Sequence, residues 1–85
     1  MKIVFDWQDD RYFTDRFYLN GRRACSILKI NDKLMYSVYI YQDDYIDPVK
    51  FMHNFSSLEA AKEWCDKELI KIGIKILSNE YKVLL

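Results

Sequence analysis

Hydrophobic and polar residues alternate along most of the first half of the chain, which is the pattern of half-buried β-strands. The alternating segments are residues 2–7, 11–19, 22–30 and 34–41. Asn20-Gly21 lies between two of them and is a strong hairpin signal, because a type I′ turn needs positive φ at both central residues. Residues 42–48 contain three Asp and Pro48, which predicts a loop. Residues 49–55 alternate weakly and indicate a further short strand or an extended lead into a helix.

The second half begins with a helix signal. Ser56 and Glu59 form a capping box, and Phe55 before the cap matches a hydrophobic staple. Apolar residues then recur at helical spacing as far as Ile72, and Gly73 stands where a C′ glycine belongs. The pattern therefore predicts a helix over residues 57–72. The strand-like residues 74–77 and 81–85 allow a short strand at the C-terminal end.

Turn lengths set the register of the predicted strands. A two-residue turn at Asn20-Gly21 and three-residue turns at 8–10 and 31–33 collect the large apolar side chains on one face of the sheet. That face contains Ile3, Phe5, Trp7, Phe13, Phe17, Leu19, Ala24, Leu28, Ile30, Leu34, Tyr36, Val38 and Ile40. The helix is expected to cover it. The sequence thus predicts a single α+β domain over residues 1–85, an antiparallel β-meander of 3–5 strands packed on one face by one helix.

The opposite face of the predicted sheet carries tyrosine and cationic side chains. It is expected to be partly open to water, because the apolar face already takes the one long helix. Tyr and Arg are enriched at the energetically important positions of protein interfaces, and aromatic residues beside cations can also hold nucleic acid. The candidate partner-binding residues are Tyr12, Arg16, Tyr18, Arg23, Lys29, Tyr39 and Tyr41. Ordinary cross-strand pairing, or cover by residues 74–85, would equally explain this composition.

Charge and composition narrow the classes of function. Thirteen Lys and Arg balance thirteen Asp and Glu, which disfavours a strongly basic nucleic-acid clamp and a polyacidic mimic of DNA. The 51% hydrophobic content excludes an intrinsically disordered tail. A secondary acidic patch is predicted at Asp9, Asp10, Asp43, Asp44 and Asp47. It could imitate phosphates for a basic partner or consist of solvated turns, and its spacing is not that of a calcium loop.

Candidate catalytic chemistry is sparse. His53 is the single histidine, and the two cysteines, Cys25 and Cys65, fit a buried, reduced state in the cytoplasm, with one disulfide as the alternative. No metal spacing, phosphate loop or nucleophile motif occurs, so no cofactor and no enzymatic activity are predicted. No apolar run reaches the roughly 20 residues that span a bilayer. The first residues lack the features of a signal peptide, and no membrane partner is expected.

The segment from Phe55 to Cys65, Phe-Ser-Ser-Leu-Glu-Ala-Ala-Lys-Glu-Trp-Cys, resembles a pattern in small phage and prophage proteins built from a β-meander and a helix. The resemblance covers residues 11–72 and implies a small accessory protein. Some such proteins bind and block host or defence machinery, as anti-CRISPR proteins do. The strand order is also similar to that of the double-stranded-RNA-binding domain, although Ser56-Ser57-Leu58-Glu59 replaces the basic start of that family's last helix.

These observations predict a small cytoplasmic binding protein that occupies, and by the phage-type resemblance inhibits, a host protein or protein complex. Two alternatives stay open. The first is a nucleic-acid-binding module similar to the double-stranded-RNA-binding domain, and the second is a structural homodimer joined through a sheet face or an edge strand.

Overall fold

The computed structural model describes residues 2–30, 35–41 and 47–77. Its elements are β1 (Lys2–Val4), β2 (Gln8–Asp9), β3 (Phe13–Phe17), β4 (Arg23–Ile30), β5 (Met35–Ile40), β6 (Lys50–Phe55), α1 (Leu58–Lys71) and β7 (Ile74–Ile76). Strands β2 to β6 form a five-stranded antiparallel sheet in sequential order, and β1 pairs in parallel with β7. The predicted α+β architecture, with one helix on an antiparallel meander, is confirmed, and β7 is the C-terminal strand that the pattern allowed.

Helix α1 begins and ends close to its predicted bounds. Its N-cap is Ser57, one residue after the predicted cap, and the Ser57 hydroxyl accepts a hydrogen bond from the Ala60 amide at 3.1 Å. Gly73 follows the helix at φ +83°, a conformation that glycine adopts without steric cost. The buried face of the helix turns Ala61, Cys65 and Leu69 toward the sheet.

The β3–β4 turn differs from the predicted type I′ geometry. The Tyr18 amide donates to the Arg22 carbonyl and the Gly21 amide donates to the Tyr18 carbonyl, so the loop has three residues rather than two. Among the turn residues, only Gly21 has positive φ, at +84°. The Asn20 side chain accepts from the Arg22 amide at 3.0 Å, which stabilises the turn without the left-handed backbone that type I′ would require of Asn20.

The predicted register of β3 with β4 is confirmed from Phe13, which lies opposite Leu28, to Arg16, and it shifts by one residue at Phe17. The registers of the two other predicted hairpins are wrong. At the first hairpin, Gln8 lies opposite Asp15, whereas the sequence predicted Phe5 opposite Phe13. Residues 8 and 9 belong to a strand there, and the chain reverses after them, with the Asp10 amide donating to the Phe13 carbonyl at 2.7 Å. Between β4 and β5, Ile30 lies opposite Met35 instead of Leu34. The connection is therefore one residue longer than predicted, and a one-residue shift moves every following side chain to the other face.

As a consequence, α1 covers a different set of side chains from the predicted one. We call the covered side the inner face and the opposite side the outer face. The inner face contains Thr14, Arg16, Cys25, Ile27, Tyr36, Val38 and Ile40. The outer face contains Phe13, Asp15, Phe17, Arg23, Ser26, Leu28, Ser37, Tyr39, Phe51 and His53. Phe13, Phe17 and Leu28 were predicted to lie under the helix and instead lie on the outer face.

The inner face and α1 enclose the core. Fully buried members include Val4, Ile27, Val38 and Leu69, and Trp7, Phe55 and Trp64 pack against them in part. A disulfide joins Cys25 of β4 to Cys65 of α1, so the expectation of two reduced thiols is wrong. The sequence assigned Cys25 to the side away from the helix, and the reversal of faces is what brings it to Cys65.

Within the described ranges, no helix has the length and apolar character needed to cross a bilayer.

Candidate protein-binding face

The seven predicted binding residues do not share one open surface. Arg16 and Tyr18 retain only 4% and 2% of their exposure, so the expectation that they face water is wrong. Tyr12 and Arg23 are exposed, and Lys29, Tyr39 and Tyr41 are half-buried. Of these seven, Arg23 and Tyr39 lie on the outer face. Arg16 lies on the inner face.

Arg16 is the centre of a buried polar cluster beneath α1. Its guanidinium lies 3.1 Å from Asp66 and 3.5 Å from Asp6, and it stands 4.5 Å from the centre of the Trp7 ring. Burial lowers the pKa of Arg16 against the opposing effect of both carboxylates. Burial likewise raises the pKa of Asp66, although Arg16 acts in the other direction. The cluster thus links β3 to α1 through an ion pair, and the desolvation of the charged groups opposes the stability gained.

A second polar region lies beside this cluster, between β1–β2 and the start of α1. A cleft of about 420 Å³ is lined by Asp6, Trp7, Asp9, Glu59, Lys62, Glu63 and Asp66. Of the predicted acidic patch, Asp9 lines this cleft and accepts a hydrogen bond from the Thr14 hydroxyl at 2.9 Å. Asp10 and Asp47 are exposed, and Asp43 and Asp44 lie outside the described residues. Among the described residues, no group of His, Cys, Asp or Glu is arranged to hold a metal ion.

The outer face contains a straight row of four side chains that crosses four strands. Asp15 of β3 pairs with Ser26 of β4, Ser26 with Tyr39 of β5, and Tyr39 with Phe51 of β6. Neighbouring strands lie about 4.8 Å apart, so the row extends over roughly 14 Å. One end of the row is polar and the other is aromatic.

Aromatic rings cluster at the β6 end of this row. The Tyr39 and Phe51 rings lie 6.4 Å apart, and the His53 ring lies 5.2 Å from Phe51 and 6.1 Å from Tyr39. These distances fall in the range of favourable aromatic pairs. Phe51 nevertheless remains 58% exposed, so its outward side has no cover.

His53 and Ser37 form a hydrogen bond of 2.8 Å between Nδ1 and Oγ, the contact expected of a base and a nucleophile. Ser37 is only 1% exposed, which leaves no space for a substrate carbonyl to approach its oxygen. No third group that would orient the imidazole contacts it among the described residues. The pair therefore serves to fix the His53 ring beside Tyr39 and Phe51.

Strand β6 forms one edge of the five-stranded sheet. Three apolar side chains are exposed here: Val49, which precedes β6, at 45%, and Phe51 and Met52 of β6 at 58% and 44%. Asn54 has a φ of +70° at an irregularity in the pairing with β5. Such a bulge interrupts an edge strand after a short regular stretch, which limits uncontrolled pairing between edges.

An ion-pair group attaches β6 to α1. Glu68 is 8% exposed, and its carboxylate accepts from Lys50 Nζ at 2.6 Å and from Lys71 Nζ at 3.2 Å. The hydrogen bond from Lys50 is the largest cause of a lowered pKa for Glu68. Lys50 links the edge strand to the helix and so supports the exposed side of β6.

The lowered pKa of Glu68 predicts a pH-dependent contribution to stability. A carboxylate with a lower pKa in the folded state stabilises the fold above its ordinary pKa of about 4.5, and the contribution disappears as the pH falls through the folded value. Glu68→Gln should therefore flatten the acid side of the stability profile. Urea unfolding at a series of pH values between about 7 and 3 would measure it. Parallel profiles for the variant and the wild type would contradict the assignment.

Sequence reasoning selected Tyr39 but missed the other side chains that define this surface. Phe51 and His53 lie in a segment whose weak alternation left strand and extended lead equally open. Asp15 was not among the candidate residues, and its place opposite Ser26 on the outer face follows from the observed register. No feature of the sequence marks Ser26 or Ser37 as part of this surface.

Comparisons of the chain with protein-family models, with curated proteins and with solved structures found no match. The phage-type resemblance and the similarity to the double-stranded-RNA-binding domain therefore stay predictions.

Proposed function

We propose that the chain is a non-enzymatic binding domain that holds a partner protein against its outer face and the exposed side of β6. The observation that carries the proposal is the group of large apolar side chains at this edge, above all Phe51 at 58% exposure. Aromatic residues that stand on a rigid strand beside a polar rim are typical anchors of protein interfaces. The contacts of Phe51 with Tyr39 and His53 support an anchor with a fixed orientation.

The charge of this surface favours a protein over a nucleic acid. Among the described residues of the outer face, Arg23 is the one Lys or Arg, and it lies 3.6 Å from Asp15. Lys50 at the start of β6 is paired with Glu68. Binding to nucleic acid depends on several cations that neutralise phosphates. A nearly neutral face with aromatic side chains fits a protein surface better. A second copy of this chain would be one such protein, and light scattering over a concentration series would identify it.

The phage-type resemblance extends the proposal to a blocking role, in which the bound host protein is occupied rather than chemically altered. The cytoplasmic location expected from the sequence is not part of this proposal. The Cys25–Cys65 bridge weighs against a strongly reducing compartment, because disulfides are rare there.

Phe51→Ser should abolish capture of the partner from a lysate of the source cells while leaving thermal unfolding nearly unchanged. The side chain is mostly exposed, and exposed substitutions change stability by about 0.5 kcal/mol or less. Ile70→Ser is the matched control, because Ile70 is 62% exposed on α1, away from the outer face. Capture would be followed by mass spectrometry, with and without nuclease.

Loss of the partner with Phe51→Ser but not with Ile70→Ser, in nuclease-treated lysate, is the expected result. Equal capture by both variants would contradict the assigned surface. Capture that depends on intact nucleic acid would support the alternative function instead.

A further inference from the structure

The open edge of β6 lacks most of the features that keep strands of different molecules apart. Among the described residues no strand pairs with its outward side, because β6 ends the order of the five-stranded sheet. Proteins usually protect such an edge with charged side chains or proline. Lys50 is the one charged residue of β6, and its ammonium donates to Glu68 of α1. Phe51 and Met52 project from opposite faces of the strand and remain exposed, so the edge is apolar.

Phe51 directs its backbone hydrogen-bonding groups to this open edge. Tyr41, which follows β5, donates its amide to the Ala24 carbonyl of β4. Successive residues of a strand point their amide and carbonyl to alternate sides, so Tyr39 also points to β4. Phe51 lies opposite Tyr39, and the two therefore form a pair without hydrogen bonds, in which the Phe51 amide and carbonyl point away from β5. The same alternation gives His53 this direction.

We propose that a second copy of this chain adds its own β6 to this edge, antiparallel and about a twofold axis at Met52. This inference rests on the proposed function and names the partner that β6 binds. The pairing joins the two five-stranded sheets into one continuous sheet. Because both copies use the same edge, the dimer is closed, and the opposite edge of each sheet is β2, which has two residues.

The register about Met52 makes β6 complementary to itself. Opposed residues of an antiparallel pair share a face of the sheet, so a twofold axis within the pair passes through a residue rather than between two residues. With the axis at Met52, Phe51 of each copy lies opposite His53 of the other, and the backbone groups that point outward at these two positions exchange hydrogen bonds. Lys50 lies opposite Asn54, so no two like charges meet.

The side chains on both faces of the joined strands also favour a second copy. On the outer face each Phe51 ring packs against His53 of the other copy, beside the Tyr39 ring that lies 6.4 Å from Phe51. On the inner face the two Met52 side chains meet at the axis. An unrelated strand would satisfy the backbone groups of β6 equally well, but self-pairing covers the exposed apolar side chains of both strands at once. The formal net charge of zero adds no repulsion between copies.

Light scattering of the full chain over about a hundred-fold range of concentration is the first test. We expect the average mass to rise toward that of a dimer, and association to be about ten-fold or more weaker in Phe51→Ser, because the aromatic ring is the largest side chain that the pairing buries. Ile70→Ser, the control on α1, should associate like the wild type. A wild type that stays monomeric, or equal association of Phe51→Ser, would overturn the proposal.

A cysteine at the axis tests the register. The backbone groups of Met52 point to β5, so the two Met52 residues form a pair without hydrogen bonds, whose Cα atoms are about 4.5 Å apart and within the range that a disulfide bridges. Met52→Cys should therefore form a linked dimer under oxidised glutathione about ten-fold or more faster than Ile70→Cys. The buried Cys25–Cys65 bridge is present in both, so each variant adds one thiol. Equal rates in the two variants would contradict the pairing about Met52.

The capture experiment keeps this inference apart from the proposed function. A monomeric wild type that captures a different protein through Phe51 would overturn the dimer and keep the binding face. A monomeric wild type whose capture is unaffected by Phe51→Ser would contradict both. If both are correct, the tagged chain captures its own untagged copy from the lysate, and Phe51→Ser abolishes that capture.

Discussion

Replacing both Cys25 and Cys65 by alanine is expected to lower the free energy of unfolding by about 4 kcal/mol relative to the oxidised chain. The disulfide closes a loop between residues that are 40 positions apart, and it ties the middle of α1 to the second strand of the β3–β4 hairpin. Closing a loop of that length restricts the unfolded chain. Because small domains have only about 5–15 kcal/mol of stability, a loss of this size would be visible in any unfolding assay.

Chemical denaturation of the oxidised wild type, the reduced wild type and the double alanine variant would measure the effect. The reduced wild type is the control for packing, because it keeps both sulfur atoms. It should unfold close to the variant and well before the oxidised protein. Coincident curves for the oxidised and reduced wild type, or two reactive thiols in the unfolded chain without reductant, would contradict the disulfide.

Removing both carboxylates that face Arg16 should have the second largest effect. The double variant Asp6→Asn/Asp66→Asn leaves a cation that is 4% exposed without a counter-charge. An uncompensated buried charge costs about 3–5 kcal/mol, and we expect the lower end of that range because Asp66 is partly exposed. Thermal unfolding at neutral pH would show the loss.

A third substitution tests whether the charge is the cause. Adding Arg16→Met to the double variant removes the buried cation and keeps an apolar chain beneath Trp7. It should recover about half of the lost stability or more, because hydrophobic replacements of buried ion pairs are often neutral or favourable. If the triple variant is less stable than the double variant, packing of the arginine side chain outweighs its charge.

The secondary structure could be predicted from the sequence because its signals are local. The serines before Leu58 and the helical spacing of Leu58, Cys65 and Leu69 indicate, to within one residue, where α1 begins, and they indicate which side it buries. Alternation likewise indicates where the strands lie. These signals depend on residues a few positions apart, so a wrong prediction for another part of the chain does not affect them.

The faces of the sheet could not be predicted with the same certainty, because they depend on turn lengths. Ile30 pairs with Met35 instead of the predicted Leu34, and this one-residue difference reverses the faces of β4 relative to those of β5. Arg16 and Cys25 therefore lie on the same face as Val38, under the helix. The alternation of side chains could not show which face of β3 and β4 lies under the helix, because Phe13 and Leu28 on one face are as apolar as Ile27 on the other. The candidate site failed for the same reason: Tyr18 and Arg16 alternate like exposed strand residues and are buried.

The parallel pairing of β1 with β7 has a mechanical consequence. Tension applied through residues before Lys2 and after Leu77 would pull the two short strands past each other along their length, loading their hydrogen bonds together instead of opening them one at a time. The sulfur cross-link would then stop extension of everything between Cys25 and Cys65. A chain stretched from its ends should therefore resist until that pair slips and afterwards lengthen by little more than its two outer segments.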